Sequence, residues 1–354
     1  MAAYTTIDKP SDYFNTVLYT GTQQAHNITG VGFAPNWVWI KKRSGADAHY
    51  IFDSVRGVDK QIQSNSSAAE YDYSGDTHRT LTAFGSDGFT LQTSEGVNHN
   101  NQTFASWNWK AGTSVSGNTS GSGTAKAYTG SVNTDAGFSI IRYLGNGTAG
   151  HTIPHHLGAT PKIIFTKILN SASFPWWTYS EVIGNTHYLR LNGTNAADEA
   201  NTIWNNTSPT SSVFSVGTNG GVNGNDNPIV AYCFADVKGY SKFGSYKGNG
   251  NADGTFIYTG FKPAFVMVKR TDSTNYWFMF DNKRNTSVGN PANKELYAND
   301  SSAEDTSARF DFLSNGFKNR LNSNGSNTSG GSYIYMAFAE NPFTTSTGIP
   351  ATAR

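Results

Sequence analysis

An all-β fold of tandem antiparallel β-sandwich or jelly-roll domains is what this sequence predicts, and three observations carry the prediction. Charged residues and aromatics each make up 14% of the 354 residues, and 37 residues are glycine. Few charges with many aromatics, Gly, Asn, Ser and Thr is a strand composition. No stretch carries the uninterrupted apolar periodicity of an amphipathic helix. A start signal and a stop signal recur three times in register.

The start signal is a Gly/Pro turn running into aromatic and β-branched residues and ending on Lys or Arg. It reads Gly32-Phe33-Ala34-Pro35-Asn36-Trp37-Val38-Trp39-Ile40-Lys41-Lys42-Arg43 in the first copy. In the second it reads Gly158-Ala159-Thr160-Pro161-Lys162-Ile163-Ile164-Phe165-Thr166-Lys167. In the third it reads Gly260-Phe261-Lys262-Pro263-Ala264-Phe265-Val266-Met267-Val268-Lys269-Arg270. The stop signals are Thr103 to Trp109, Ile229 to Ala235 and Tyr333 to Ala339. From proline to last aromatic is 74 residues in the first copy (Pro35 to Trp109), 73 in the second (Pro161 to Phe234) and 75 in the third (Pro263 to Phe338). Three diverged copies of one β domain follow. The expected spans are 1–112 with an N-terminal arm, 129–240 as the divergent copy, 241–343, and a tail at 344–354.

Within the first copy, Phe14 to Gly21 reads as a strand and turn, and His49 to Gly57 as a strand ending on glycine. Residues 59–79 are polar and read as a long surface loop. Thr80 to Leu91, with Gly85-Ser86-Asp87-Gly88 at its centre, reads as a hairpin. Residues 111–128 are the most linker-like, with an ordered crossing strand as the alternative. The second copy opens near Gly137 and lacks the Ser-Asp-Gly-Phe hairpin, with Val213 to Gly217 in that position. In the third, Thr255 to Gly260 echoes Thr16 to Gly21, and Tyr276 to Arg284 echoes Tyr50 to Arg56.

Charge and cysteine content exclude several classes. Lys+Arg 26 against Asp+Glu 25 gives a net charge of +1, with no global field for nucleic acid or an anionic membrane. The single cysteine, Cys233, forms no disulfide within the chain and no thiolate zinc cluster. Met1 to Thr6 lacks the basic and apolar regions of a signal peptide, and no run has the length of a membrane span.

Few residues offer chemistry. Asp53 with Arg56 recurs as Asp281 with Arg284 at the same spacing of three, and reads as a repeated structural ion pair. Neighbours on a strand face opposite sides, so His155-His156 is poorly placed to chelate one metal, although His151 and His155 could converge. Asp87, Asp226, Asp253 and Asp311 are scattered at turn signals and form no carboxylate pair for glycoside chemistry. No cofactor motif appears. Trp37, Trp39, Trp107, Trp109, Trp176, Trp177 and Trp277 are the aromatics that would fill a core, cover an interface or stack on a glycan.

Tyr19-Thr20-Gly21, Val31 to Arg43, Phe52-Asp53-Ser54-Val55-Arg56-Gly57, Gly85 to Leu91 and Ala105 to Lys110 carry a family resemblance. So do Gly248-Asn249-Gly250, Tyr258 to Ala264, Lys269-Arg270 and Phe280 to Arg284. The sequence resembles a repeated domain of virion proteins of marine tailed bacteriophages. The resemblance covers most of residues 14–110 and 246–340, and the middle copy weakly. It implies a lectin-like β-sandwich used as a structural or fibre module, and it transfers no catalytic residue. The expected protein is a non-enzymatic virion component without cofactors, on the capsid exterior or a tail appendage. Its expected partners are other virion proteins and copies of itself, a trimer by preference. A carbohydrate-binding receptor module is the alternative, with a host surface glycan as partner. Nucleic acid binding and membrane insertion are not expected.

Overall fold

The computed structural model describes residues 4–285 and 290–350. The first three residues of the N-terminal arm and the last four of the tail lie outside them. The architecture is all-β, with antiparallel sheets. Strand pairing divides along the chain into three sets, over residues 14–109, 113–234 and 241–342.

The first repeat has a six-stranded sheet in the order Phe14–Thr20, Thr103–Trp109, Trp37–Lys42, His49–Asp53, Lys60–Gln63, Tyr71–Asp72. A three-stranded sheet accompanies it, in the order His26–Ile28, Gly88–Leu91, Leu81–Gly85. The second repeat has an eight-stranded sheet, from Thr113–Asn118 at one edge to Asp198–Glu199 at the other. Its small sheet runs Ser120–Gly121, His151–Pro154, Val213–Val216. In the third repeat the two parts are continuous in one eight-stranded sheet, from Ser241–Lys247 to Phe256–Tyr258. There Asp305–Leu313 and Gly316–Asn319 curl back over Phe261–Arg270, so the sheet nearly closes on itself.

The three Gly/Pro-led strands are Trp37–Lys42, Ile163–Ile168 and Phe261–Arg270, each next to its closing strand. Period-two alternation sends their side chains to two different cores. Val38 and Ile40 pack within the first repeat, Ile164 and Ile168 within the second, and Val266 and Val268 within the third. The opposite faces carry Trp37 and Trp39, Ile163 and Phe165, and Phe265 and Met267, and all six enter one core shared by the three repeats. The closing strands add Trp107 and Trp109, Tyr232 and Phe234, and Met336 and Phe338 to it. A fully buried large apolar side chain stabilises by roughly 1.5–3 kcal/mol, so this shared core is a major stabilising term.

Pairing corrects several expectations. Thr113–Asn118 is no linker but the outer strand against Ala127–Asn133, and Ser120–Gly121 pairs with His151–Pro154. Thr113–Asn118 is largely solvated, so it needs no apolar residues and reads as a polar spacer. Residues 59–79 are not all loop, because Lys60–Gln63 is a strand that places Ile62 in the shared core. The echo of Thr16–Gly21 in Thr255–Gly260 is displaced by one strand. Phe14–Thr20 pairs with its closing strand, and Ser241–Lys247 is the strand that does so in the third repeat. Phe256–Tyr258 instead matches His26–Ile28, with Ile257 opposite Phe317 as Ile28 is opposite Phe89. Ile153 opposite Phe214 completes the set, so Val213–Val216 holds the position of Gly88–Leu91.

The true equivalence exposes a lock present in all three repeats. Tyr19, Tyr143 and Tyr246 donate their hydroxyls to the carbonyls of Val97, Val222 and Ser326, each at 2.7 Å. Two residues after each tyrosine is a glycine, Gly21, Gly145 or Gly248. An added Cβ there would run into the backbone of His99, Gly224 or Thr328. The next amide, of Thr22, Asn146 or Asn249, donates to the Oδ1 of Asn98, Asn223 or Asn327, at 2.9–3.0 Å. Each asparagine is fully buried, and its Nδ2 reaches further acceptors in the same turn, such as the Gln24 and Gln92 carbonyls for Asn98. A buried amide that satisfies backbone groups in this way is costly to remove. Asn98→Ala, Asn223→Ala and Asn327→Ala are each expected to lower unfolding stability by about 2–4 kcal/mol, read from urea denaturation.

Candidate functional site

Both ion pairs and six of the seven tryptophans singled out from sequence converge on the seams and the shared core between repeats. Trp37, Trp39, Trp107, Trp109, Trp176 and Trp277 are at most 1% exposed and Trp177 is 6% exposed. Their surplus is spent on packing repeats together and within repeats, not on an open platform. Trp37 lies 4.7 Å from Tyr232 of the second repeat and Trp109 lies 6.0 Å from Phe265 of the third, centroid to centroid. Trp177 alone of the seven packs in the second repeat's own core.

The recurring ion pairs are buried junctions of the same seams. Asp53 Oδ1 accepts from the amides of Val55 (3.0 Å) and Arg56 (2.8 Å), which turns the strand end. Its Oδ2 accepts from Arg56 Nε at 2.5 Å and from the Tyr232 hydroxyl of the second repeat at 2.6 Å. Asp281 repeats the arrangement with Lys283 (3.0 Å), Arg284 (2.9 Å) and Arg284 Nε (2.5 Å). Its cross-seam donor is Trp107 Nε1 of the first repeat, at 2.9 Å. Tyr232 and Trp107 occupy the same register position on their closing strands. Arg56 then reaches Glu70 at 2.9 Å, and Arg284 reaches Glu304 at 3.2 Å. Both arginine side chains are fully buried.

The second repeat places Ser180 and Ile183 where the others place the aspartate and arginine. The third repeat's closing strand places Met336 where the others place the tryptophan or tyrosine donor. Carboxylate, guanidinium and donor are thus lost together, which leaves no orphaned partner. Ile183 packs against the shared core instead.

Further cross-seam bonds close the ring. The amides of Glu70, Ala197 and Glu304 donate to the carbonyls of Leu169, Thr271 and Arg43, linking first to second, second to third, and third to first. Trp176 Nε1 donates to the Gln63 carbonyl (2.8 Å) and Trp277 Nε1 to the Arg190 carbonyl (3.0 Å). His49 holds the corresponding position in the first repeat. Its Nδ1 accepts from Trp39 Nε1 at 2.9 Å, and burial pushes its imidazolium well below the usual histidine range.

Three equivalent lysines were missed in the sequence. Lys41, Lys167 and Lys269 are fully buried, six residues after Pro35, Pro161 and Pro263. Their ammonium groups donate to backbone carbonyls: Lys42 (2.6 Å), Ile168 (2.9 Å), and Thr194 (3.0 Å) with Asn275 (2.9 Å). Their regular spacing was the available signal, but a lysine at a strand end normally reads as solvated.

The other candidates are accounted for locally. Asp87 accepts from the Gly30 and Gly32 amides, which hold its carboxyl below the usual range. Asp226, Asp253 and Asp311 pair with Lys126, Lys318 and Arg320. Cys233 is buried, and burial pushes its thiol up to about 12. His151 takes a contact from Asn146 and His155 one from the Leu157 amide. Among the described residues no group of three His, Cys, Asp or Glu side chains could hold a metal, and no helix is long and apolar enough to cross a membrane.

Fold and seams together define an all-β protein whose three repeats form a closed ring around a common core. The chain belongs to the family described as a domain of unknown function (DUF7483), whose model matches residues 9–342 in one span across all three repeats. No curated protein and no solved structure matches it.

The seams and the buried lysines each generate a prediction. Asp281→Ala takes the nearer of two carboxylates from the buried Arg284, leaving it Glu304 at 3.2 Å, and strips the Trp107 indole of its acceptor, so it is expected to cost about 3–5 kcal/mol in denaturant melts. Ser180→Ala, at the seam that lacks the pair, is expected to change stability by less than about 1 kcal/mol.

The second concerns pH. Burial pushes the Lys41 and Lys167 ammonium groups down to about 8 and that of Lys269 down to about 7. An unfolded lysine keeps its proton to about pH 10.4, so the unfolded chain binds more protons in this interval. Stability therefore rises as pH rises from about 7 to about 9 and is lost as pH falls through the folded values. Above about 9, ionisation of the unfolded cysteine and tyrosines opposes the trend. Thermal melts at pH 7 and pH 9 check the sign, and Lys269→Met is expected to flatten the rise.

Proposed function

We propose that this chain is a non-enzymatic structural protein of a tailed-bacteriophage virion, a capsid decoration or a fibre or appendage module exposed at the virion surface. In this reading each repeat is a lectin-like β-sandwich domain, and the ring of three is a rigid building block. The observation that carries it is the closed ring itself. The buried Asp53, Asp281 and most of the tryptophans are spent on fastening repeats to one another, and the buried lysines on backbone carbonyls. The resemblance of residues 14–110 and 246–340 to marine phage virion domains supplies the virion setting.

A rigid, nearly neutral block with few exposed large apolar residues suits attachment to a larger protein shell. Mass spectrometry of purified particles is expected to find the chain as a stoichiometric component, and cryo-electron microscopy to place it on capsid or tail. Its absence from particles would end the reading. Light scattering of the chain alone is expected to show self-association, a trimer first, and a larger complex when capsid or tail proteins are added. A stable monomer with no affinity for any virion protein would also end the reading.

A further inference from the structure

A cleft of 480 Å³ opens between the first and second repeats, lined by Ser67 of the first and by Pro175, Trp177, Arg190, Asn192 and Asn195 of the second. Arg190 is its unusual member. The guanidinium lies 5.8 Å from the Trp177 ring and 5.7 Å from the Tyr188 ring, within cation–π range of both. Its Nη2 donates to the Tyr188 hydroxyl at 3.3 Å. Its Nε is buried without a hydrogen-bond partner.

The third repeat provides a comparison. There Phe278 holds the register position of Trp177, and Arg309 lies 4.5 Å from its ring. Arg309 is neutralised by Glu295, which takes both its Nε and its Nη2. The second repeat has Tyr188 in the register position of Glu295. Asp198 accepts from the Tyr188 hydroxyl at 2.9 Å and feels the Arg190 charge across space without forming a salt bridge to it. One arginine over this ring position is therefore paired with a carboxylate, and the other faces a cleft with no direct ion pair among the described residues.

We infer that the cleft binds an acidic saccharide, with the sugar carboxylate on Arg190 and the sugar ring among the amides, hydroxyl and apolar edges of the lining. A guanidinium resting against an edge-to-face pair of aromatic rings is pre-oriented and presents planar donors that match a carboxylate. Serine and asparagine side chains suit sugar hydroxyls, and the half-buried Pro175 offers apolar surface to the C–H groups of a sugar. A bare anion would use the arginine alone and leave the other groups idle. The inference does not depend on the chain being a virion component.

The test is titration of the full chain with a galacturonic-acid oligosaccharide, its neutral galactose counterpart, and inorganic phosphate, followed by calorimetry and ligand-observed NMR. The acidic oligosaccharide is expected to bind, the neutral one at least about tenfold more weakly, and phosphate likewise. Arg190→Gln is expected to remove the preference for the acidic sugar, and Asn195→Ala, at an exposed position, to weaken binding with an unchanged melting temperature. A folded Arg190→Gln protein that keeps the preference would overturn the inference. So would phosphate binding as tightly as the sugar, or no binding of the acidic oligosaccharide at millimolar concentration.

Discussion

The structure depends on one constraint, that a strand buried on both faces must find a core on each side. A strand alternates its side chains, so Trp37 and Trp39 cannot enter the core that takes Val38 and Ile40. The same holds for Phe165 against Ile164 and for Phe265 against Val266. Each repeat's small sheet or curled strands cover one face. Only the other two repeats cover the second. Low charge and abundant aromatics are thus the composition of a chain that buries its main sheets twice.

Polar bonds then set how the faces meet. Apolar packing is non-directional and would tolerate small slips of one sheet across another. A buried carboxylate holding two turn amides, a guanidinium and a donor on the neighbouring sheet tolerates far less displacement. Two seams use that device, and one replaces it with Ser180, Ile183 and Met336. The replacement is complete, which agrees with the high cost of a half-dismantled buried pair. The three buried lysines work inside the repeats and across them. Lys41 and Lys167 tie the start of the following loop, whereas Lys269 reaches the Thr194 carbonyl of the second repeat.

Much of this was legible in the sequence where the signal was local. The three Gly/Pro-led strands and their closing strands stand where the spacing placed them. Asp53 with Arg56 and Asp281 with Arg284 are the ion pairs that the repeated spacing of three indicated. What escaped was the half of each interaction contributed by a distant strand. Nothing near Asp281 points to Trp107, which lies 174 residues away. The Tyr-x-Gly–Asn lock escaped for a different reason. Its tyrosine and asparagine lie about eighty residues apart and the intervening loops differ in length, so Tyr258, in similar local surroundings, imitated the true equivalent Tyr246. The strand Thr113–Asn118 escaped because a solvated outer strand carries no apolar alternation to find.

The closed ring also bears on what a repeat is. A sandwich that folded alone would carry polar residues on its outer faces. Here those faces bear tryptophan, phenylalanine and tyrosine, and a single repeat cut from the chain would expose them to water together with half of a buried ion pair. The first repeat would lose the Tyr232 donor to Asp53, and the second the Gln63 carbonyl that takes the Trp176 indole. Each repeat therefore contributes groups that its neighbour needs for its own satisfaction. Stability of this kind is collective. It agrees with a family match that runs through residues 9–342 without dividing at a repeat boundary. The energetic unit is the ring, and any surface it offers to a partner is built on the rigidity of all three repeats at once.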